Sequence, residues 1–354
     1  MRTLVTIGVA LLGAGCAESP SPPRIPGPAD LDRLKAESAA LVAELSARPV
    51  VTDRRELHGQ TAAHRTDRER AADIAILIAQ NPRLMGLRSE LGAIYTRAGL
   101  GPEAREHLLF ALRQEPDRSE TLRWLGVSLL QDGEPGIGRT LLETAAVLAP
   151  RDPHPWRYLG LLALQDGHRE VARRCFRTCT DLAARSALRG DVLSLYQLGL
   201  LAEEDGDMTK ALELFRRATM VDRDHLGATH RIAALLQMRG DVQEAAEARA
   251  RHARLAALDD MGLLGSTPER VRALQLAILY LSSERFEEAL VEARDARRRA
   301  PDDPQAWAAE IRARHATGGV GQARRLLADA LDRWPEEPIL LDTVDVLDDQ
   351  ESGG

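Results

Sequence analysis

Aromatic residues make up only 3% of this 354-residue chain. Strands draw on Val, Ile, Thr and aromatic side chains, so this scarcity argues against a β fold. Charge of one sign is missing as well: the net charge is -7 with both signs interspersed, which leaves no broad cationic face for a phosphate backbone. Nucleic acid is excluded as an expected partner. Also absent are a Gly-rich phosphate loop, a nucleophile elbow, a His-Glu-x-x-His zinc motif and any Cys-x-x-Cys or haem-attachment pattern. The expectation is a protein that is not an enzyme, without a cofactor and without a metal site.

What is present is Ala, Leu, Arg and Glu, the strong helix formers. With 44% hydrophobic and 29% charged residues the chain can bury a sizeable core, as two or three globular domains or one elongated array. An all-α protein is expected. WLGVSLLQDG at 124–133 returns as YLGLLALQDG at 158–167, 34 residues later, and as QLGLLAEEDG at 197–206. Self-similarity at such a period decides the architecture before any local motif does.

Laid out from Met85, blocks begin at Met85, Ser119, Pro153, Val192, Leu226, Arg270 and Pro304, with extra residues before the fourth and sixth. One small column reads Gly92, Gly126, Gly160, Gly199, Ala233 and Ala277, broken by Ile311; a second reads Ala104, Gly138, Ala172, Ala211, Ala245, Ala289 and Ala323. Small residues at fixed spacing are what close helix crossings require. Trp156 and Trp307 precede the first column by one turn, and Leu108, Leu142, Phe176, Phe215 and Leu327 follow the second. Gly99, Gly133, Gly167, Gly206, Gly240 and Gly318 mark a turn between two helices, and Pro116, Pro150, Pro301 and Pro335 end the second helix.

This pattern resembles the tetratricopeptide repeat family over residues 85–337, about seven tenths of the chain. The resemblance implies a right-handed superhelical solenoid of stacked helix hairpins with a concave groove. The fifth block departs most, with Arg249 and His252 where apolar and small residues belong.

The first 15 residues read as a secretory signal peptide: Arg2, an uncharged stretch, then small residues. The apolar stretch is too short to span a bilayer. Leu12, Gly13, Ala14, Gly15 and Cys16 resemble the lipobox of bacterial lipoproteins, with Gly13 departing from the usual Leu. That resemblance implies a lipidated Cys16. Residues 16–29 carry five prolines and read as an extended tether reaching roughly 40 Å. Ala17, not Asp, follows the cysteine, which resembles the outer-membrane sorting class and implies a protein facing the periplasm.

Residues 30–84 read as an N-terminal helical segment: one helix over Asp30 to Ala47, a polar stretch that is helix or loop, and the second helix of a degenerate repeat over Ala71 to Gln80. Residues 338–354 read as a capping helix and an acidic tail, since stacked repeats need caps. His58 and His64 lie on different helix faces, a poor metal pair. Asp132, Asp166 and Asp205 read as turn residues. Cys175 and Cys179 share a helix face, but Cys179 falls in a column that is otherwise mostly Ala and reads as a buried thiol; a thiol redox module using the pair is the minor alternative.

In the resembled family the groove is lined by the first helices. Here that places Arg123, Arg157, Tyr196 and His230 in one column, with Val127, Leu130, Leu161, Leu164 and Leu200 as an apolar stripe beside it. The two arginines are expected to project from one wall, so that reversing both charges abolishes partner capture and leaves melting intact. The Lys and Asn clamp of chaperone-binding members is disfavoured, because Val127 and Leu161 stand where its Asn would be. The function expected is a lipid-anchored cell-envelope scaffold that binds a peptide segment or helix of another protein, similar to lipoproteins of this family that assist envelope assemblies. A self-associating structural solenoid is the alternative.

Overall fold

The computed structural model describes residues 25–48, 62–186, 190–265 and 267–349. The segment expected to be a signal peptide, Cys16 and His58 lie outside the described residues, as does most of the expected tether. Among the described residues there are seventeen α-helices and no strand. They are α1 (Leu31–Ala47), α2 (Ala62–Gln80), α3 (Met85–Arg97), α4 (Gly101–Gln114), α5 (Ser119–Gln131), α6 (Pro135–Leu148), α7 (His154–Gln165), α8 (Arg169–Arg185) and α9 (Val192–Glu204). There follow α10 (Met208–Val221), α11 (Leu226–Arg239), α12 (Val242–Asp260), α13 (Glu269–Ser282), α14 (Phe286–Arg299), α15 (Pro304–Ala316), α16 (Val320–Arg333) and α17 (Pro338–Asp349). The chain forms two compact units, Met1–Ala246 and Glu247–Gly354.

Consecutive helices pack as hairpins, α3 with α4, α5 with α6, α7 with α8, α9 with α10, α13 with α14 and α15 with α16. The small columns explain the crossing. A Cβ added at Gly160 would lie 2.6 Å from the Phe176 ring, and one at Gly199 2.5 Å from that of Phe215. Gly92 and Gly126 meet Leu108 and Leu142 in the same way. Each large residue of the second helix thus presses onto the bare backbone of the first, and Leu108, Leu142, Phe176 and Phe215 are wholly buried. Burying such a side chain contributes about 1.5–3 kcal/mol, available only while the glycine lets the helices close.

The turn glycines Gly99, Gly133, Gly167, Gly206, Gly240 and Gly318 all have φ between +74° and +86°, the left-handed conformation that suits glycine. In the sixth block Glu284 takes that place with φ of 57°. Helices α4, α6, α14 and α16 each stop two residues before Pro116, Pro150, Pro301 and Pro335.

Helix α1 does not pack in sequence order. It lies across α4 and α6, the second helices of the first two blocks. Its buried Val42 and Leu45 join a cluster with Leu109, Leu112, Leu122, Leu141 and Ala145. The Ser38 and Thr144 hydroxyls are 2.6 Å apart, and Arg113 donates to the Ser46 carbonyl. Lys35 pairs with Asp117 and Arg48 with Glu134. Helix α2 takes in part of the polar stretch and packs Ala71, Ile74 and Ile78 against Leu91 and Ile94 of α3. In the second unit, α17 covers α15 and α16, burying Leu340 and Leu347.

Candidate functional site

The first-helix column is built from residues three before the first small column. Arg123 is only 7% exposed; its Nε lies 3.5 Å from Asp152 Oδ2 and its guanidinium stacks 4.5 Å above the Trp124 ring. Asp152 Oδ1 in turn accepts the His154 backbone N–H at the start of α7. Arg157, 34 residues on, donates from Nη1 to Asp191 Oδ2 at 2.7 Å. Asp191 is 8% exposed and caps α9, its Oδ1 accepting the Ser194 N–H. Tyr196 places its ring 4.8 Å from that of His225, whose Nδ1 accepts the Ala228 N–H and caps α11. Even Ser89 follows the rule, its hydroxyl 2.8 Å from Thr121 in α5.

Ser89, Arg123, Arg157 and Tyr196 of the column therefore reach the opening turn of the next first helix or the residues just before it. Orphan N–H groups at that turn need acceptors, and for Arg123, Arg157 and Tyr196 the acceptor, Asp152, Asp191 or His225, is itself in contact with the column residue. The electrostatics agree. Burial lowers the pKa of Arg123 against the pull of Asp152. Burial also works against the charge on Arg157, but Tyr158 and Asp191 outweigh it and raise its pKa. Burial, with Arg157 and Arg123 nearby, lowers that of His154.

This corrects the expectation of an open arginine wall. Both guanidiniums lie against carboxylates just before the next first helix, and reversing them would set a glutamate against Asp152 and another against Asp191. The apolar stripe divides likewise. Val127, Leu130 and Leu161 are buried; Leu164, Tyr196 and Leu200 remain half-buried, and His230 is exposed. Of the expected groove residues the structure thus keeps Leu164, Tyr196 and Leu200, on α7 and α9, half accessible and His230, on α11, exposed.

Cys175 and Cys179 are free and buried in α8, and burial pushes both thiols up to about 12. A thiolate is the reactive form, so the fold suppresses thiol chemistry at this pair. Among the described residues no group of three or more His, Cys, Asp or Glu side chains is placed to hold a metal ion.

Sequence reasoning missed the pairing of column residue with cap. The signal was an aspartate one repeat later, as in Arg157 and Asp191.

Fold and packing define an all-α stack of helix hairpins. Residues 158–225 and 274–338 match the profile of the tetratricopeptide repeat family. No curated protein matches the chain. Among solved structures, PilF of Pseudomonas aeruginosa is 17% identical, covering 63% of this chain and 94% of its own, with a TM-score of 0.44. MamA of Desulfovibrio magneticus RS-1 is 20% identical, covering 50% and 97%, with a TM-score of 0.40. The Cut9–Hcn1 hetero-tetramer of the APC/C is 14% identical over 78% of this chain with a TM-score of 0.42, and the match spans 52% of that chain. Likenesses of this strength carry no partner or role across.

Proposed function

We propose that this protein is a lipid-anchored scaffold of a bacterial cell envelope, tethered through Cys16 to the outer membrane and facing the periplasm, where its first helices hold a segment of another envelope protein. Tetratricopeptide repeats are in general scaffolds for protein–protein interaction, and the order of signal peptide, Cys16 and proline-rich stretch supports the anchor. The observation that carries the binding role is the half-buried trio Leu164, Tyr196 and Leu200. Two aliphatic side chains and one amphipathic ring left accessible on adjacent repeats offer apolar anchors with a polar tip, the composition favoured at interfaces. The reading assigns the protein no catalytic step.

A photo-crosslinking residue placed at Leu164 or at Leu200 in cells is expected to capture one and the same envelope protein, while the buried Val127 position captures none. Adducts only with further copies of this chain would replace the reading by self-association, and no adduct at either position would sink it. The anchor has its own assay: Cys16→Ser is expected to move the protein from the detergent to the aqueous phase, and an unchanged partition would refute lipidation.

A further inference from the structure

The docking of α1 shows that the groove between consecutive second helices, here α4 and α6, takes a helix. The equivalent groove of the second unit lies between α12 and α14 and opens into a cleft of about 770 Å³ lined by Arg254 of α12, Glu269 of α13, the outer face of α14, and Glu310 and Arg314 of α15. No described element covers it: Val291 is 65% exposed, Arg294 51% and Arg298 76%. Its chemistry is reversed. At the place in the repeat where α6 offers Leu141 and Thr144 to α1, α14 carries Glu292 and Asp295. Arg113, which bonds α1 at Ser46, is matched by Arg254.

The floor of this cleft is electrostatically complete. Arg254 forks onto Glu292 at 2.7 and 3.2 Å and also reaches Glu269. Glu310, fully buried, is taken by Arg297 and Arg314. The rim is not. Arg294 approaches Glu310 only to 4.0 Å, behind two closer guanidiniums, and Arg298 shares Asp295 with Arg299. The lining holds five arginines against four carboxylates, on a chain whose net charge is -7. Donors are left over at the mouth, one helical turn apart on α14, with exposed Val291 beside them.

We propose that the α12–α14 groove is a second docking surface, for a helix of a partner protein bearing carboxylates one turn apart. Carboxylates at that spacing meet Arg294 and Arg298 in register, and arginine receives them bidentately. An apolar helix such as α1 is refused, because its Val42 and Leu45 would meet Glu292 and Asp295 where they now meet Leu141 and its neighbours. The proposal rests on the scaffold reading but not on the membrane anchor or on the Leu164–Leu200 surface.

The test uses the full chain and a labelled Ala-based helical peptide with glutamates one turn apart, beside its glutamine twin, followed by fluorescence anisotropy. The glutamate peptide is expected to bind at least about tenfold more tightly than the twin, with affinity falling as salt is raised. Arg294→Glu with Arg298→Glu, both at exposed positions, is expected to cost about tenfold for the glutamate peptide, to leave melting unchanged, and to create binding of a lysine version. Equal binding of the two peptides, or indifference to the double reversal, would overturn the proposal. So would displacement by millimolar orthophosphate, which would mean a simple anion site, or tighter binding of a peptide of residues 31–47, which would mean a second copy. Crosslinking from Leu164 and Leu200 is unchanged by the Arg294 and Arg298 reversals, so the two surfaces fail separately.

Discussion

In the fourth repeat Gly199 lies beneath Phe215; at the same places in the sixth, Ala277 faces Ala293. The first unit closes its hairpins by pressing a large side chain onto a glycine. The sixth block, in the second unit, meets alanine with alanine, in a cluster of Ala273, Ala277, Ala293, Ala296, Ala306 and Ala309 with Leu274, while the seventh puts Ile311 and Leu327 in one apolar cluster. Alanine buries far less apolar area than phenylalanine or leucine, and stabilisation scales with that area. Buried charge occurs in both units, in Arg123 and Asp191 of the first and in Glu292, Glu310 and Arg272 of the second, where it accompanies the contact of alanine on alanine. One backbone plan therefore tolerates two kinds of cohesion. The apolar kind is insensitive to salt and intolerant of shape change, whereas the ionic kind frees the outer face of α14 to carry charge.

The largest effect is expected where a wholly buried ring is removed. Phe215→Ala leaves a cavity above Gly199 and is expected to cost about 3–5 kcal/mol, read as a lowered denaturation midpoint and lost hydrogen-exchange protection in α9 and α10. A cost below about 1 kcal/mol would mean the ring is not the keystone of that hairpin. In the second unit Glu310→Ala leaves Arg297 and Arg314 without their shared carboxylate. About 2–3 kcal/mol is expected, less than for a fully enclosed pair because Arg297 is a third exposed. This loss shrinks at high salt and that of Phe215→Ala does not; equal salt dependence would erase the contrast between the units. The smallest effect is a gain. Glu284 carries a left-handed backbone that costs an L side chain roughly 1 kcal/mol, so Glu284→Gly is expected to raise the midpoint of the second unit slightly. The same substitution at an ordinary helical position would lower it.

How far these features could be read in advance follows from their range. The hairpins were legible because glycine and alanine at a fixed period state a local need for close approach, and because a turn glycine answers to its own φ. Proline ends a helix by its own covalent structure, and Cys179 fell in a small column, where it is buried. The docking of α1 was not legible: Leu34, Val42 and Leu45 announce an apolar face but not which of seventeen helices receives it. Nor was the fate of Arg123 and Arg157. Arginine is exposed by default, and only its distance to an aspartate in the next repeat decides otherwise. Leu164 and Leu200 were placed in the same stripe as Val127 and Leu130, since a column gives position around one helix and not how closely the next helix covers it.

The central claim is that Arg123, Arg157 and Tyr196 of the first-helix column stitch their repeats to the start of the next first helix. Thermal denaturation of the double variant Arg123→Glu with Arg157→Glu tests it most directly. Two largely buried guanidinium–carboxylate pairs become two like-charge contacts, so a midpoint lowered by many degrees is expected, with helix α7 and the start of α9 losing hydrogen-exchange protection first. An unchanged midpoint, with partner capture abolished, would contradict the claim and return the two arginines to an open binding wall.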